Sequence, residues 1–136
     1  MHRTSGIFSL RNLHAAACGA AIVFISWGLL SSDPLAVVKR SPLSFLTRIS
    51  DLIMHCSAYC VLATVCLLPT AFRPDQRAPV VISSLLALHA IGTELLQAYI
   101  PRRTCDPMDA LANLTGIALG AIMMAWLVRP RVSQSV

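Results

Sequence analysis

The sequence predicts an all-α fold, a four-helix transmembrane bundle with both termini in the cytoplasm. Hydrophobic residues make up 56% of the chain and charged residues only 12%, and the mean hydropathy is +0.69. A soluble protein of this size has too much surface to cover with so few charges. The apolar residues also form four runs, each close to the ~20 residues that cross ~30 Å of hydrocarbon. An unusually apolar soluble helical bundle is the alternative.

The four runs fit one membrane domain, residues 1–136, with spans at about 13–30, 52–68, 79–99 and 108–128. The first run follows two arginines and resembles a signal peptide. It is longer than the apolar part of such a signal, about 7–15 residues, so we expect it to be a retained span. Pro79 suits the first turn of the third helix.

The basic residues between the runs set the orientation. Six of them share a side with the termini and five lie on the other side. Two of those five, Arg102 and Arg103, stand among acidic residues, as in a site rather than a free loop. Without them the positive-inside rule favours cytoplasmic termini. These short basic clusters lack the stripe of a nucleic-acid reader, so we expect no nucleic-acid partner.

Two further features leave the function open. The 32–50 connection mixes apolar and basic residues, which fits either a short amphipathic helix on the membrane surface or an ordinary loop. The five cysteines contain no Cys-x-x-Cys pair. We therefore expect neither a disulfide framework nor a cysteine zinc site.

The second helix carries a polar stripe at its outer end. Asp51, His55 and Tyr59 are spaced i, i+4 and i+8, which places them on one helix face. Asp51 could accept a hydrogen bond from His55 and fix its tautomer, as in many general-base sites. The alternative is a capping acid with His and Tyr at headgroup depth.

The third helix ends with a second polar pair, Glu94 and Gln97, one turn apart. A carboxylate inside the span must find a partner or take up a proton. We expect Arg102 or Arg103, just beyond the helix, to pair with Glu94. The pair could be part of a binding site or a structural salt bridge.

The fourth helix opens with a third group of polar residues. Asp106 is predicted to be the N-cap, with Pro107 at the first helical position and Asp109 in the first turn. Capping does not explain Asn113, one turn deeper on the same face as Asp109. We expect its amide to form hydrogen bonds across helices.

Small residues continue along the same helix. Ala112, Gly116 and Gly120 recur at four-residue spacing, which lets helix backbones approach closely. We expect this face to pack inside the bundle rather than form a dimer. Such packing would bring the polar helix ends together on one side of the membrane.

A metal site is conceivable from His55 with Glu94, Asp106 and Asp109. A facial triad requires two histidines, however, and the sequence supplies only one at this level. We therefore expect no metal and no cofactor. His89 lies deeper in an apolar run and is interpreted as a core residue.

Taken together, the polar residues resemble those of the VanZ-like family of small bacterial membrane proteins. The match covers about residues 51–120 and includes Asp51, His55, Tyr59, Glu94, Gln97, Arg103, Asp106, Asp109, Asn113, Gly116 and Gly120. Arg102 stands where the family typically has the Gly of a Pro-Gly-Arg turn. The family is named after a protein associated with teicoplanin resistance, and the resemblance implies a cell-envelope role in the bacterial cytoplasmic membrane.

Three functions fit these residues. The first is binding of an anionic lipid headgroup or lipid-linked envelope intermediate through Arg102 and Arg103. The second is an enzyme acting on a lipid-linked substrate, with His55 as general base or nucleophile, Asp51 as its orienter and Glu94 as the acid. The third is an accessory subunit that binds another membrane protein of the envelope.

Overall fold

The computed structural model describes residues 4–33, 50–72 and 77–128, with side chains described for 10–33, 50–70 and 77–127. Within those ranges the chain is helical and has no strand. The four helices are α1 (Thr4–Leu30), α2 (Asp51–Leu67), α3 (Arg77–Gln97) and α4 (Pro107–Val128), and a 3-10 turn (Leu68–Phe72) follows α2. All four are long and apolar enough to cross a membrane, which confirms the predicted fold class.

Two helices, α1 and α3, begin two or more residues earlier than the predicted spans. α1 begins at Thr4, well before the predicted 13, because a helix can continue beyond its apolar part. Its apolar stretch, Leu10–Leu30, is the portion suited to hydrocarbon. α3 begins and ends two residues earlier than predicted, and Pro79 falls in its first turn, where a missing N–H costs no intrahelical bond.

The bundle is held together most extensively between α2 and α4. Gly116 and Gly120 of α4 lie directly on the backbone of α2, as the small-residue spacing predicts. A Cβ atom at Gly120 would be 2.7 Å from the carbonyl oxygen of Cys60 and 2.8 Å from the Cβ of Ala63. A Cβ at Gly116 would collide with the carbonyl oxygen of Cys56. Only glycine permits this approach.

α1 lies at the edge of the bundle. Leu29 is its one buried residue among side chains 10–30. Two hydrogen bonds attach it to the other helices. His14 Nε2, in the first half of α1, lies 2.8 Å from the carbonyl oxygen of Val65, and Gln97 Nε2 donates to the carbonyl oxygen of Leu29 at the C-terminal end at 2.9 Å. The end of α1 therefore meets the end of α3, as expected for helices that alternate in direction.

The apolar side chains divide into a small core and a broad outer face. The core residues are Leu29, Tyr59, Leu62, Ala63, Cys66, Leu67, Leu86, Ala90, Ile117 and Met124. Many large apolar residues are exposed on the outer face, as suits contact with hydrocarbon. Residues 34–49 of the 32–50 connection lie outside the described residues, so the choice between a surface helix and an ordinary loop stays open. The cytoplasmic placement of the termini stays a prediction.

Candidate polar site at one end of the bundle

Four polar side chains meet where α2, α3 and α4 come together at one end of the bundle. We call His55, Glu94, Asp109 and Asn113 the polar cluster. One nitrogen of His55 and one carboxylate oxygen from each of Glu94 and Asp109 lie within 4.8 Å of one another. His55 is 4% exposed, Glu94 3% and Asn113 0%, so these three side chains are buried inside the bundle. Three separate stretches of sequence thus contribute to one site.

The two ring nitrogens of His55 face different residues of α4, Asn113 and Asp109. Nδ1 lies 3.0 Å from Asn113 Oδ1, so in this arrangement the Nδ1–H donates to the amide oxygen. Nε2 lies 3.8 Å from Asp109 Oδ2, without a direct hydrogen bond. A neutral imidazole that donates from Nδ1 presents a bare lone pair at Nε2. That lone pair faces a carboxylate.

Glu94 is bound through only one of its two oxygens. Oε1 accepts a hydrogen bond of 2.7 Å from the backbone N–H of Asp106. Oε2 is buried and has no hydrogen-bond partner among the described residues. A buried polar atom without a partner is uncommon and usually has a structural or functional reason.

The structure corrects two predicted pairings. Asp51 does not orient His55: its side chain is exposed, and the His55 ring points across the tight α2–α4 contact toward Asn113. Glu94 does not pair with Arg102 or Arg103: its Oε1 accepts from the backbone N–H of Asp106, and its Oε2 has no partner in the described part of the chain. Arg103 Nε donates to Ser31 instead, and Arg102 is exposed. Spacing along one helix could not reveal partners that belong to another element.

The two arginines have different positions in that turn. Arg103 is partly buried, and its Nε donates to the carbonyl oxygen of Ser31 at 3.1 Å, which ties the turn to the end of α1. Arg102 is exposed and has a φ of 68°, in the left-handed region. The backbone there has the conformation that glycine favours, although the residue is arginine.

Capping of α4 follows the prediction. Asp106 Oδ1 accepts a 2.9 Å hydrogen bond from the N–H of Met108, and its carbonyl oxygen accepts from Asp109 and Ala110. α4 starts at Pro107. Asp106 therefore has two roles: its side chain caps the helix, and its N–H holds Glu94.

Tyr59 belongs to a second, deeper network rather than to the polar cluster. Its hydroxyl lies 3.0 Å from both His89 Nδ1 and Thr93 Oγ1, and His89 Nε2 lies 2.9 Å from Ser26 Oγ. This network joins α1, α2 and α3. Sequence reasoning missed it by treating His89 as an isolated core residue. The signal was that His89, Thr93 and Gln97 recur every four residues on one face.

A cleft between α1 and α2 opens beside the polar cluster. Its volume is about 260 Å³. Apolar walls come from both helices, and polar groups occupy one end. We call it the α1–α2 cleft; it is lined by Phe24, Ile25, Trp27, Gly28, Leu29, Asp51, Met54, His55, Ala58 and Arg103. A larger groove of about 500 Å³ between α2 and α4 has no charged lining residue.

The chain thus has four helices that are long and apolar enough to cross a membrane, and a buried cluster of ionisable side chains at one end of the bundle. Comparison of the chain with protein-family models, curated proteins and solved structures finds no match. The resemblance to the VanZ-like family therefore stays a prediction made from the residues.

Proposed function

We propose that this chain is a VanZ-like integral membrane protein of the bacterial cytoplasmic membrane. In this proposal it binds the phosphate-bearing headgroup of a membrane lipid, or of a lipid-linked envelope intermediate, at the outer surface. The bound molecule occupies the α1–α2 cleft, with its headgroup at Arg103 and His55 and its hydrocarbon part along α1.

The main support for lipid binding is that the cleft has apolar walls and one charged end. Phe24, Ile25 and Trp27 line the α1 side, and Met54 and Ala58 line the α2 side. These walls suit a hydrocarbon chain. The volume is near the lower end of the range for small-molecule sites, so the cleft accommodates only part of a lipid.

The charged end determines the headgroup chemistry. Arg103 can bind phosphate through its planar guanidinium, and its Nε bond to Ser31 holds the side chain in place. His55 borders the same end, and its Nε2 lone pair can accept a hydrogen bond from a hydroxyl or amine of the headgroup. Asp51 lines this end too. A headgroup that carries a hydroxyl or amine next to its phosphate would complement all three side chains.

Filling the cleft tests the proposal. Gly28 lines the cleft, and a Cβ there would meet no atom within 4 Å, so the side chain of Gly28→Leu can leave the helix freely and extend into the lipid path. Gly19→Leu is the matched control, because Gly19 lies on the same helix, has equally open surroundings and does not line the cleft. Both changes replace glycine with a better helix former.

The measurement is native mass spectrometry after exchange against phosphatidylglycerol vesicles. We expect the native chain and Gly19→Leu to retain one lipid, and Gly28→Leu to lose it. Arg103→Gln should weaken retention about tenfold or more, since about 1.4 kcal/mol of a charge-assisted contact corresponds to tenfold in affinity. Equal lipid retention by Gly28→Leu and Gly19→Leu would disprove binding in this cleft.

The geometry of His55 favours one second candidate, an enzyme acting on a lipid-linked substrate. Asn113 holds the ring at Nδ1, so Nε2 is positioned to accept a proton. In that case Asn113, rather than Asp51, is the orienting residue. Incubation with a labelled bacterial lipid extract should give a product with the native chain and none with His55→Gln. If the two samples yield the same lipids, the enzyme hypothesis fails.

A further inference from the structure

We infer that the polar cluster is a binding site for a divalent transition-metal cation of the manganese, iron or zinc type. The ligands are His55 Nε2, Glu94 Oε2 and a carboxylate oxygen of Asp109. This inference goes beyond lipid binding and does not depend on it. Glu94 and Asp109 take no part in the proposed lipid contact, and a cation on His55 Nε2 would replace one headgroup hydrogen bond there while leaving the Arg103–phosphate contact in place.

Electrostatics favour a cation in the polar cluster. In the neutral tautomer that donates from Nδ1 to Asn113, His55 presents its Nε2 lone pair toward Asp109 Oδ2 at 3.8 Å, and one ligand atom each of His55, Glu94 and Asp109 lies within 4.8 Å of the others. Three acceptor atoms that converge in a buried space repel one another. A positive charge between them removes the repulsion. Arg103 Nε, at this end of the bundle, donates to the carbonyl oxygen of Ser31 rather than to any of these acceptors.

The Glu94 oxygen without a partner also favours a cation. Glu94 is 97% buried, since only 3% of it is exposed, and Oε2 has no hydrogen bond. Its other oxygen is already held by the N–H of Asp106. Leaving a buried carboxylate oxygen without any partner costs free energy. A cation would supply the missing partner without disturbing the Oε1 bond.

The hydrogen bonds around the cluster are also those of a metal site. A metal-binding histidine almost always donates its second ring N–H to an oxygen, and metal-binding carboxylates are in turn hydrogen-bonded. Here His55 donates to Asn113 and Glu94 accepts from the Asp106 backbone. Two of the three ligands thus have the outer partners that a metal site requires.

The distances allow a cation after a small closure. Nitrogen and oxygen ligands lie ~2.0–2.2 Å from such ions, which separates neighbouring ligand atoms by about 3–4 Å. The His55–Asp109 distance of 3.8 Å is already in this range. Asp109 is 17% exposed, the least buried of the three, and can rotate inward to close the remaining gap. The sequence-based argument required two histidines, whereas one imidazole with two carboxylates suits these cations as well.

Manganese is the best probe. Five free cysteines in the chain would also bind zinc, whereas Mn²⁺ prefers oxygen and imidazole ligands over thiols. We would strip the detergent-solubilised full chain with a chelator, titrate it with MnCl₂ and follow the electron paramagnetic resonance of free and bound Mn²⁺. One saturable site per chain is expected.

Four variants assign the site. Glu94→Gln keeps the Oε1 acceptor but loses the charge, and Asp109→Asn does the same for its side chain; each should weaken Mn²⁺ binding at least tenfold. Asn113→Ala should weaken it about 10–100-fold by releasing His55. Asp51→Asn is the matched control: it removes an exposed carboxylate one turn from His55 and should leave Mn²⁺ affinity unchanged.

The outcomes separate a metal from protons. The inference is wrong if the folded native chain shows no saturable Mn²⁺ site, which would mean that protons satisfy the cluster. It is also wrong if Glu94→Gln binds as tightly as the native chain, or if Asp51→Asn is as defective as Glu94→Gln. Circular dichroism on each variant ensures that only folded samples are compared. Loss of lipid binding in Gly28→Leu bears on the proposed function alone and leaves this result unaffected.

Discussion

Adding one methyl group at Gly116 should separate the two helices that support the site. A Cβ there would overlap the carbonyl oxygen of Cys56 and lie 3.0 Å from both the carbonyl carbon of Cys56 and the backbone nitrogen of Cys60. Ordinary van der Waals contact begins at 3.4 Å, so α2 and α4 must move apart by several tenths of an ångström at the least. All three atoms belong to the backbone and cannot rotate away.

The magnitude follows from this separation. Overpacking of a well-packed interface costs ~1–3 kcal/mol, and a gap of ~0.5–1 Å removes about a quarter to a half of the dispersion energy of each pair across it. The higher helix propensity of alanine offsets up to about 1 kcal/mol. We expect Gly116→Ala to lower the free energy of unfolding by about 1–3 kcal/mol, because α2–α4 is the most extensive contact in the bundle and the dispersion loss there opposes the gain in helix propensity.

The assay is thermal or denaturant unfolding in detergent, compared with Gly92→Ala. Gly92 lies in α3, and a Cβ built there meets no atom within 4 Å, so its replacement should be neutral or stabilising by up to about 1 kcal/mol. Gly120→Ala should resemble Gly116→Ala, given its 2.7 Å approach to Cys60. If Gly116→Ala and Gly92→Ala have the same free energy of unfolding, the close α2–α4 packing does not exist.

Substitutions at four further residues test other parts of the structure by the same unfolding assay. Arg102→Gly should raise the free energy of unfolding by about 1 kcal/mol, because its φ of 68° lies in the left-handed region that glycine favours. Arg103→Gly should lower it by removing the hydrogen bond to Ser31. Stabilisation by both changes would refute this difference. Asp106→Ala should lower it by about 1 kcal/mol through loss of the α4 cap, and Asp106→Asn should recover most of that. Tyr59→Phe should lower it by about 1 kcal/mol, since the hydroxyl links α2 to α3, and no change would show that this link is energetically silent.

The spans and the capping of α4 could be predicted from the sequence because both depend on local properties. Length and apolarity decide whether a segment can cross hydrocarbon, and all four predicted spans are present. Asp106 followed by Pro107 is a cap signal that needs no tertiary information. The small residues at Gly116 and Gly120 indicated a close helix contact without naming the partner.

The partners of the site residues could not be predicted in this way. Spacing correctly placed Asp51 and His55 on one face of α2, yet it could not show that the imidazole turns toward α4, where Asn113 offers an oxygen. The arginines beyond α3 were closer to Glu94 in sequence, but the turn brings the Asp106 N–H to it instead. The deeper Tyr59–His89–Thr93 network was missed for the same reason.

The sequence by itself determined that this chain is a set of four apolar helices with polar groups at particular helix ends. Local hydrophobicity, capping and small-residue spacing are properties of neighbouring residues, and they can be read without a fold. Only the tertiary structure decided which of those polar groups face one another, because this depends on how each helix is rotated about its axis and how closely α4 approaches α2. That rotation and approach turn an imidazole and two carboxylates from separate segments into one buried cluster.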